Sequence, residues 1–298
     1  MKNSAIRFTI LAYSILLCLS ANAQDALLMQ NINFSEFGYN SAFIADDDAT
    51  FTVALTNTTG GGIQNTGQIN FQGFTQLEKS GLAIGTRVES KYYGLFRTST
   101  MQFETAKKVR LNANSHLFAG FGAGMQFNSL RTNELNEFVN RTDPMLVDNA
   151  FPQYRFIFGF GLGYNYLNKL KAGFSMPSFA RTESDFNPIY LANVSYRIQA
   201  GEVIGIRPEA LMFGSNVAPI SAEFSAKIDF KNQVWIKAGA RTTNTLVGAI
   251  GVDTRYITIG YAYNGFLQEF SAIVPAIHNI NITFRSGSKN PEKRLQLW

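Results

Sequence analysis

Sulfur and imidazole chemistry are almost missing from this sequence: in 298 residues there is one cysteine, Cys18, and there are two histidines, His116 and His278. Cys18 falls inside an N-terminal leader, so the remaining chain has no disulfide, no thiol nucleophile and no cysteine metal site. Neither histidine has a partner at metal-ligand spacing, and each reads as a structural hydrogen-bonding residue. Long apolar runs are missing too. After the leader none approaches the length that a membrane-spanning helix needs, which excludes helical spans. Charge is sparse at 16% of residues, with a net +5. No basic cluster sits inside a motif, so there is no case for nucleic acid as a partner.

The leader itself is clear. Lys2 and Arg7 precede an apolar run from Ile10 to Leu19, which ends in Ser20, Ala21, Asn22 and Ala23. That is a signal peptide over 1–23 with an Ala-x-Ala exit, cut between Ala23 and Gln24. Leu17, before Cys18, is not the small residue that a lipoprotein signal places there. Removing Lys2 and Arg7 from the 26 basic residues leaves 24 against 21 acidic ones.

What the chain has in quantity is Phe (26), Tyr (12) and Gly (25), at a mean hydropathy of −0.04. Their arrangement has a period of two. From Tyr154 to Met176 the sequence reads YRFIFGFGLGYNYLNKLKAGFSM. Phe156, Phe158, Phe160, Leu162, Tyr164 and Tyr166 share one parity, opposite Arg155, Gly159, Gly161, Gly163 and Asn165. Beyond a tight turn at Asn168 and Lys169, Leu170, Ala172, Phe174 and Met176 oppose Lys171, Gly173 and Ser175. Successive side chains of a strand point to opposite faces, so this is an antiparallel hairpin with one apolar face. A soluble sandwich with a buried aromatic face and a membrane barrel with a lipid-facing one both accommodate it.

The same pattern recurs along the chain. Residues 24–48 carry no steady period and end in Asp46, Asp47 and Asp48, which reads as an irregular periplasmic lead-in or a lumen plug. Strands are expected at 49–57, 65–76, 81–90, 98–108 and 114–128, then in the hairpin. Others follow at 188–199, 202–213, 220–230, 234–241, 245–253, 255–264 and 276–285. Pro208 predicts a distortion or bulge in its strand. The total is fourteen, and an even number suits an antiparallel barrel with both termini periplasmic. Connections after odd-numbered strands are the longer ones, near 58–64, 91–97, 130–152, 177–187 and 265–274, whereas those after even-numbered strands are mostly two to four residues long. One long-looped rim and one short-turned rim fit an outer-membrane barrel better than a sandwich. The expected fold is therefore an all-β transmembrane antiparallel β-barrel over 49–285, with a short basic tail at 286–298.

Opposite the apolar stripe stand Arg87, Glu89, Arg155, Lys171, Glu223, Lys227, Asp229, Lys237 and Arg241. In a barrel these are candidate lumen-facing charges, because a lone charge facing lipid is costly. Tyr164, Tyr166, Tyr261 and Tyr263 would serve as interface girdles. Catalytic constellations are not apparent. The glycines of FGFGLGY alternate with large apolar residues in a strand instead of opening a helix, which assigns them to strand packing or to room for neighbouring side chains in the lumen. Thr59 to Gly62 is a flexible loop. The Asp46–Asp48 run lacks the alternating ligands of a calcium loop and reads as a solvated or pairing charge run. A barrel phospholipase would need a serine and a histidine poised on neighbouring strands, for which nothing specific speaks. The expectation is a non-enzyme with no cofactor and no bound metal.

Several motifs resemble the PorP/SprF family of Bacteroidota outer-membrane proteins, attached to the type IX secretion and gliding apparatus. Gln24 and Asp25, Gln30, and Asn40-Ser41-Ala42 stand where that family has Gln-Asp, Ser-Gln and Asn-Pro-Ala. Asp143-Pro144, then Phe160, Gly161, Gly163 and Tyr164, then Gly173, Ser175 and Pro177 match its central signature. Gly260, Tyr261 and Tyr263 keep its Gly-Tyr-x-Tyr strand. The chain departs from the pattern at Ala54 to Asn57, where an Arg-x-x-Trp is usual, at Ser41 in place of Pro, and at Asn279 in place of the Glu after His278, which points to a divergent branch. The resemblance implies an integral outer-membrane barrel that assists export or surface attachment of a secreted protein or adhesin. Its partners would be outer-membrane lipid, that secreted surface protein and type IX secretion components. Two alternatives stay open on the residues alone: a porin-like or hydrophobic-solute channel, and a non-transporting envelope linker or scaffold.

Overall fold

The computed structural model describes residues 39–46, 49–59, 66–77, 80–93, 96–130, 154–179, 188–215, 220–266 and 276–286. The leader expected at 1–23, residues 24–38, Asp47 and Asp48, the 130–152 loop beyond Leu130, and the basic tail beyond Ser286 lie outside the described residues.

Fourteen strands form one antiparallel sheet. They are β1 (Thr50–Thr59), β2 (Thr66–Leu77), β3 (Leu82–Tyr93), β4 (Phe96–Arg110), β5 (Ser115–Leu130), β6 (Tyr154–Tyr166) and β7 (Leu170–Phe179). The rest are β8 (Ile189–Tyr196, continued by Ile198–Ala200), β9 (Ile204–Ser215), β10 (Ser221–Phe230), β11 (Val234–Arg241), β12 (Thr245–Asp253), β13 (Ile257–Phe266) and β14 (Ala276–Arg285). Each pairs with its neighbour in sequence, and β1 pairs with β14 from Thr50↔Arg285 to Thr59↔Ala276, which closes the sheet into a barrel.

Burial follows the period of two, with the polarity inverted relative to a soluble sheet. On β10, Phe224 and Phe230 are exposed while Glu223 and Asp229 are buried. On β11, Val234 and Ile236 are exposed while Lys237 and Arg241 are buried. A sandwich would hide the aromatics and wet the charges. In this closed barrel the apolar residues form an outer belt, and the charged and small residues face inward, as in a membrane barrel.

Turn chemistry makes one rim compact. Leu167 and Asn168 both adopt φ of 54°, and Lys231 and Asn232 adopt 48° and 54°. Positive φ at both central residues gives the primed turn whose twist matches that of the flanking strands. The first turn thus centres one residue earlier than the expected Asn168 and Lys169.

Three other expectations change. The strand expected at 98–108 runs over the whole of Phe96–Arg110, and β3 reaches Tyr93, so the longer connection expected near 91–97 is mostly strand. Pro208 makes no bulge against β10, where the register is continuous from Ile204↔Phe230 to Phe213↔Ser221. On its other side the ladder to β8 is interrupted between Glu209↔Ser195 and Ile206↔Ile198, as expected where proline offers no N–H. The register shift lies instead in β7, between the pairs Phe160↔Met176 and Phe158↔Phe179. There the Pro177 carbonyl turns inward and accepts from Gln102 Nε2 of β4 at 3.4 Å. Beyond Ser175↔Leu191 no further β7–β8 pairing is recorded among the described residues, although β8 still pairs with β9 up to Ile189↔Ser215.

Ile236, 44% exposed on the outer belt, tests the direction of the faces. Ile236→Arg should destabilise the folded barrel in lipid vesicles by about 2–4 kcal/mol, the cost of a lipid-facing arginine near the midplane, read from denaturant unfolding of the vesicle-inserted protein.

Candidate functional site

The interior is occupied by the chain's own N-terminal segment. Asn40, in extended conformation, caps a single 3-10 turn, Ser41–Ala45, by accepting from the Ala42 N–H at 3.0 Å. Its amide also donates to the Leu162 carbonyl at 2.9 Å and the Phe174 carbonyl at 3.4 Å, tying the turn to β6 and β7. Ser175 Oγ donates to the Tyr39 carbonyl at 2.7 Å, and Gln76 Nε2 to the Ala45 carbonyl at 3.0 Å. The apolar residues of the turn supply the packing. Ala42, Phe43 and Ile44 are wholly buried, in one cluster with Phe74, Ala83, Ala106 and Phe118. Tyr39 packs in a second cluster with Leu191, Leu211 and Phe213, against which Ile189 rests.

This plug explains the inward glycines. A Cβ on Gly120 would collide with the Ser41–Ala42 backbone, and one on Gly161 with Asn40 Oδ1. On Gly163 or Gly173 it would come within 2.8 Å of the Phe43 ring. Three adjacent strands, β5, β6 and β7, thus omit side chains where the plug lies against them. Sequence reasoning offered strand packing or room for side chains; the occupant is main chain as well.

Asp46 ends the plug. It forms an ion pair with Lys171 at 2.9 Å and accepts from Asn165 Nδ2 at 3.2 Å. Burial pushes its carboxyl pKa up, but the charge and hydrogen bond of Lys171, with Lys108 and Asn165, outweigh burial and hold it below the usual carboxylate value. Of the aspartate run, this member is a pairing charge. No group of three His, Cys, Asp or Glu side chains converges among the described residues.

The inward charges read from the sequence fall into two sectors. Beside the plug, Arg87 bonds Glu104 in a buried pair. Glu89 bonds Lys91 at 3.0 Å and Gln68, and Arg155 donates to Gln126 Oε1 at 2.9 Å. Lys171 holds Asp46. Across the β8–β11 wall, Glu223 bonds Arg241 at 2.7 Å and Lys237 at 3.3 Å, and Lys237 also bonds Glu209 at 2.9 Å. Asp229 bonds Arg197 at 3.1 Å, and Lys227 lies 4.1 Å above the Trp235 ring.

Sequence reasoning missed Glu104, Arg197, Arg207 and Glu209. Glu104 shares parity with Gln102 and Ala106 in a strand whose outer face is interrupted by Ser99 and Thr105. Arg207 and Glu209 flank Pro208, and their parity with Gly205 was the signal available. The His116 ring lies tilted beside that of Phe118, with centroids 6.4 Å apart. His278 faces outward, with Nδ1 2.7 Å from the Tyr261 hydroxyl and its ring 5.4 Å from that of Tyr263.

Asp46→Asn should loosen the plug by up to about 3 kcal/mol, because it leaves a largely buried lysine without its counter-charge. Faster amide exchange over residues 42–46 is the readout. Since the folded-state pKa is depressed, the Asp46 contribution is fully present above the ordinary carboxylate pKa of about 3.9. It is lost as pH falls through the lower folded value, so exchange protection, corrected for intrinsic rates, should hold from neutral to about pH 4 and decline below it.

The barrel is similar to solved structures at very low identity. It matches one titled CymD monoaromatic hydrocarbon channel at 10% identity and a TM-score of 0.52, covering 87% of this chain and 94% of that one. A second, the TodX monoaromatic hydrocarbon channel deltaS2 mutant, matches at 12% identity and a TM-score of 0.50, covering 82% and 91%. At such identities the likeness is one of fold. No curated protein matches the chain in sequence. Residues 20–284 match the family described as type IX secretion system membrane protein PorP/SprF. With nearly all of its β-barrel inside that match, the chain belongs to the PorP/SprF family of type IX secretion system membrane proteins.

Proposed function

We propose that the protein is an outer-membrane accessory barrel of the type IX secretion system, assisting export or surface attachment of a secreted protein or adhesin. Family membership supports the secretion role. The observation that favours a scaffold over a solute pore is the plug: its turn is wholly interior, and it is held at both ends, by Ser175 at Tyr39 and by Lys171 at Asp46. Inward charges in mutual ion pairs serve to hold such an interior together, and the outer apolar belt meets outer-membrane lipid. Family and fold are of non-enzymatic kinds.

We read the orientation from the rims. β1 begins and β14 ends on the rim that carries the three- and four-residue turns, which we place in the periplasm with both termini. The opposite rim joins the long strands β5 and β6 through residues 131–153. Binding residues concentrate on loops held by a rigid scaffold, and that loop is the candidate contact for the secreted partner.

The test is a pull-down of the intact detergent-solubilised barrel from its own cell envelope. The expected result is retention of a secreted protein bearing a type IX sorting domain, and its loss when 131–153 is replaced by a short Gly-Ser linker in a barrel that still folds. Retention unchanged by that replacement would remove the loop's role. Absence of any such protein, together with substrate-dependent conductance in planar bilayers, would favour a channel.

A further inference from the structure

Exposed charge gathers at one rim of the barrel. Among the described residues the exposed charged side chains are Arg97 near the long-looped rim and Lys107, Arg110, Lys169, Glu202, Lys231 and Arg255 at the short-turned one. Five of the six at the short-turned rim are cations. By sequence, Glu78 and Lys79 of the β2–β3 connection cancel, and Asp47 and Asp48 before β1 are balanced in number by a tail with three basic residues and one acidic one. The longer connections have the opposite sign: 131–153 has two basic residues against four acidic ones, 180–187 one against two, and 267–275 a single glutamate.

Four of the rim cations have no counter-charge. Lys107 shares the outer face of β4 with the exposed Phe103 and Val109, and it pairs with Leu82, the first residue of β3. Its Nζ donates to the Ser80 carbonyl of the turn. Arg110 Nε donates to the Asn112 carbonyl at 3.2 Å. Lys169 and Lys231 stand in the β6–β7 and β10–β11 turns. Carbonyls are neutral partners, and none of the four residues joins an ion pair among the described residues.

Apolar side chains accompany these cations along the rim. Leu111 follows Arg110, Tyr166 and Leu167 precede Lys169, and Phe230 precedes Lys231, all between 40% and 56% exposed. A bilayer interface takes both kinds, the apolar residues at the acyl boundary and the cations on their flexible stems among the headgroups. Six strands separate the β4–β5 turn from the β10–β11 turn in a ring of fourteen, so the cations stand on nearly opposite sides of the barrel. One docked protein would cover a sector of that ring, whereas lipid surrounds it.

We propose that Lys107, Arg110, Lys169 and Lys231 form a collar that selects anionic phospholipid headgroups around the short-turned rim. Each cation meets a headgroup phosphate in a charge-assisted contact. The acidic connections at the other rim repel the same headgroups, so the two ends of the barrel favour different surfaces. That the collar lies in the periplasmic leaflet rests on the orientation proposed above. Its selectivity does not, because symmetric vesicles present the same headgroups to both rims.

Electron spin resonance of the full chain folded in phosphatidylcholine vesicles tests this, with nitroxide-labelled phosphatidylglycerol in one arm and nitroxide-labelled phosphatidylcholine in the other. The wild type should immobilise phosphatidylglycerol in preference by roughly twofold or more, falling toward parity as salt screens the charges. Lys107→Gln, Arg110→Gln, Lys169→Gln and Lys231→Gln together should remove most of that preference, while Arg97→Gln at the other rim should leave it unchanged. Heat-modifiable gel migration checks that each variant folds. Lys169→Gln with Lys231→Gln, both in exposed turns and expected to lose part of the preference, serves if the fourfold variant does not fold. Equal association of the two lipids with the wild type, the outcome if the collar meets an acidic protein instead, overturns the proposal. So does a folded collar variant that keeps the full preference.

Discussion

A closed barrel of fourteen strands encloses more space than its own inward side chains fill, because diameter grows with strand number while side-chain reach does not. The backbone offers no solution, since it is committed to the ladder all the way round. Whatever fills the interior has to come from elsewhere in the chain, and it has to satisfy a polar wall. The segment 39–46 meets both demands. Its apolar residues pack on Phe74 and Phe118, and its Tyr39 and Ala45 carbonyls and Asp46 carboxylate are matched by Ser175, Gln76, Asn165 and Lys171.

The inward glycines and charges are two answers to the same constraint. Where the plug passes, β5, β6 and β7 withdraw their side chains, at Gly120, Gly161, Gly163 and Gly173, so that the plug's main chain at Ser41–Ala42 and its Asn40 and Phe43 side chains lie against strand backbone. On β8–β11, away from the contact of Tyr39 with Leu191, Leu211 and Phe213, long charged side chains project inward and pair with one another. A charge buried alone would be severely destabilising, and pairing is what makes it tolerable.

The outer face and strand order were legible because each needs only local information. Phe224, Ala226 and Ile228 against Glu223, Lys227 and Asp229 announce a strand with two unlike faces, and the difference in length between the two sets of connections chooses barrel over sandwich. The plug was legible only as an option, since 39–46 has no period and its partners lie far along the chain; Asn40 reaches Leu162 and Phe174. Pairings across the wall depend on register, which a one-residue slip would invert. For that reason Glu104 and Arg197, the partners of Arg87 and Asp229, did not emerge from the sequence. Pro208 marks the interrupted ladder between β8 and β9, whereas the bulge sits at Pro177 on β7, where the inward carbonyl accepts from Gln102 on a strand not adjacent in the sheet.

The central claim is that the plug, seated on its bed of glycines, closes the barrel. Conductance of the purified protein in planar bilayers, compared between the wild type and a Gly120→Leu, Gly161→Leu variant, tests it most directly. The account predicts a silent wild type and a variant that folds, inserts and conducts because its plug has no seat. A steady pore in the wild type, or a variant that folds and stays as silent as the wild type, would contradict it.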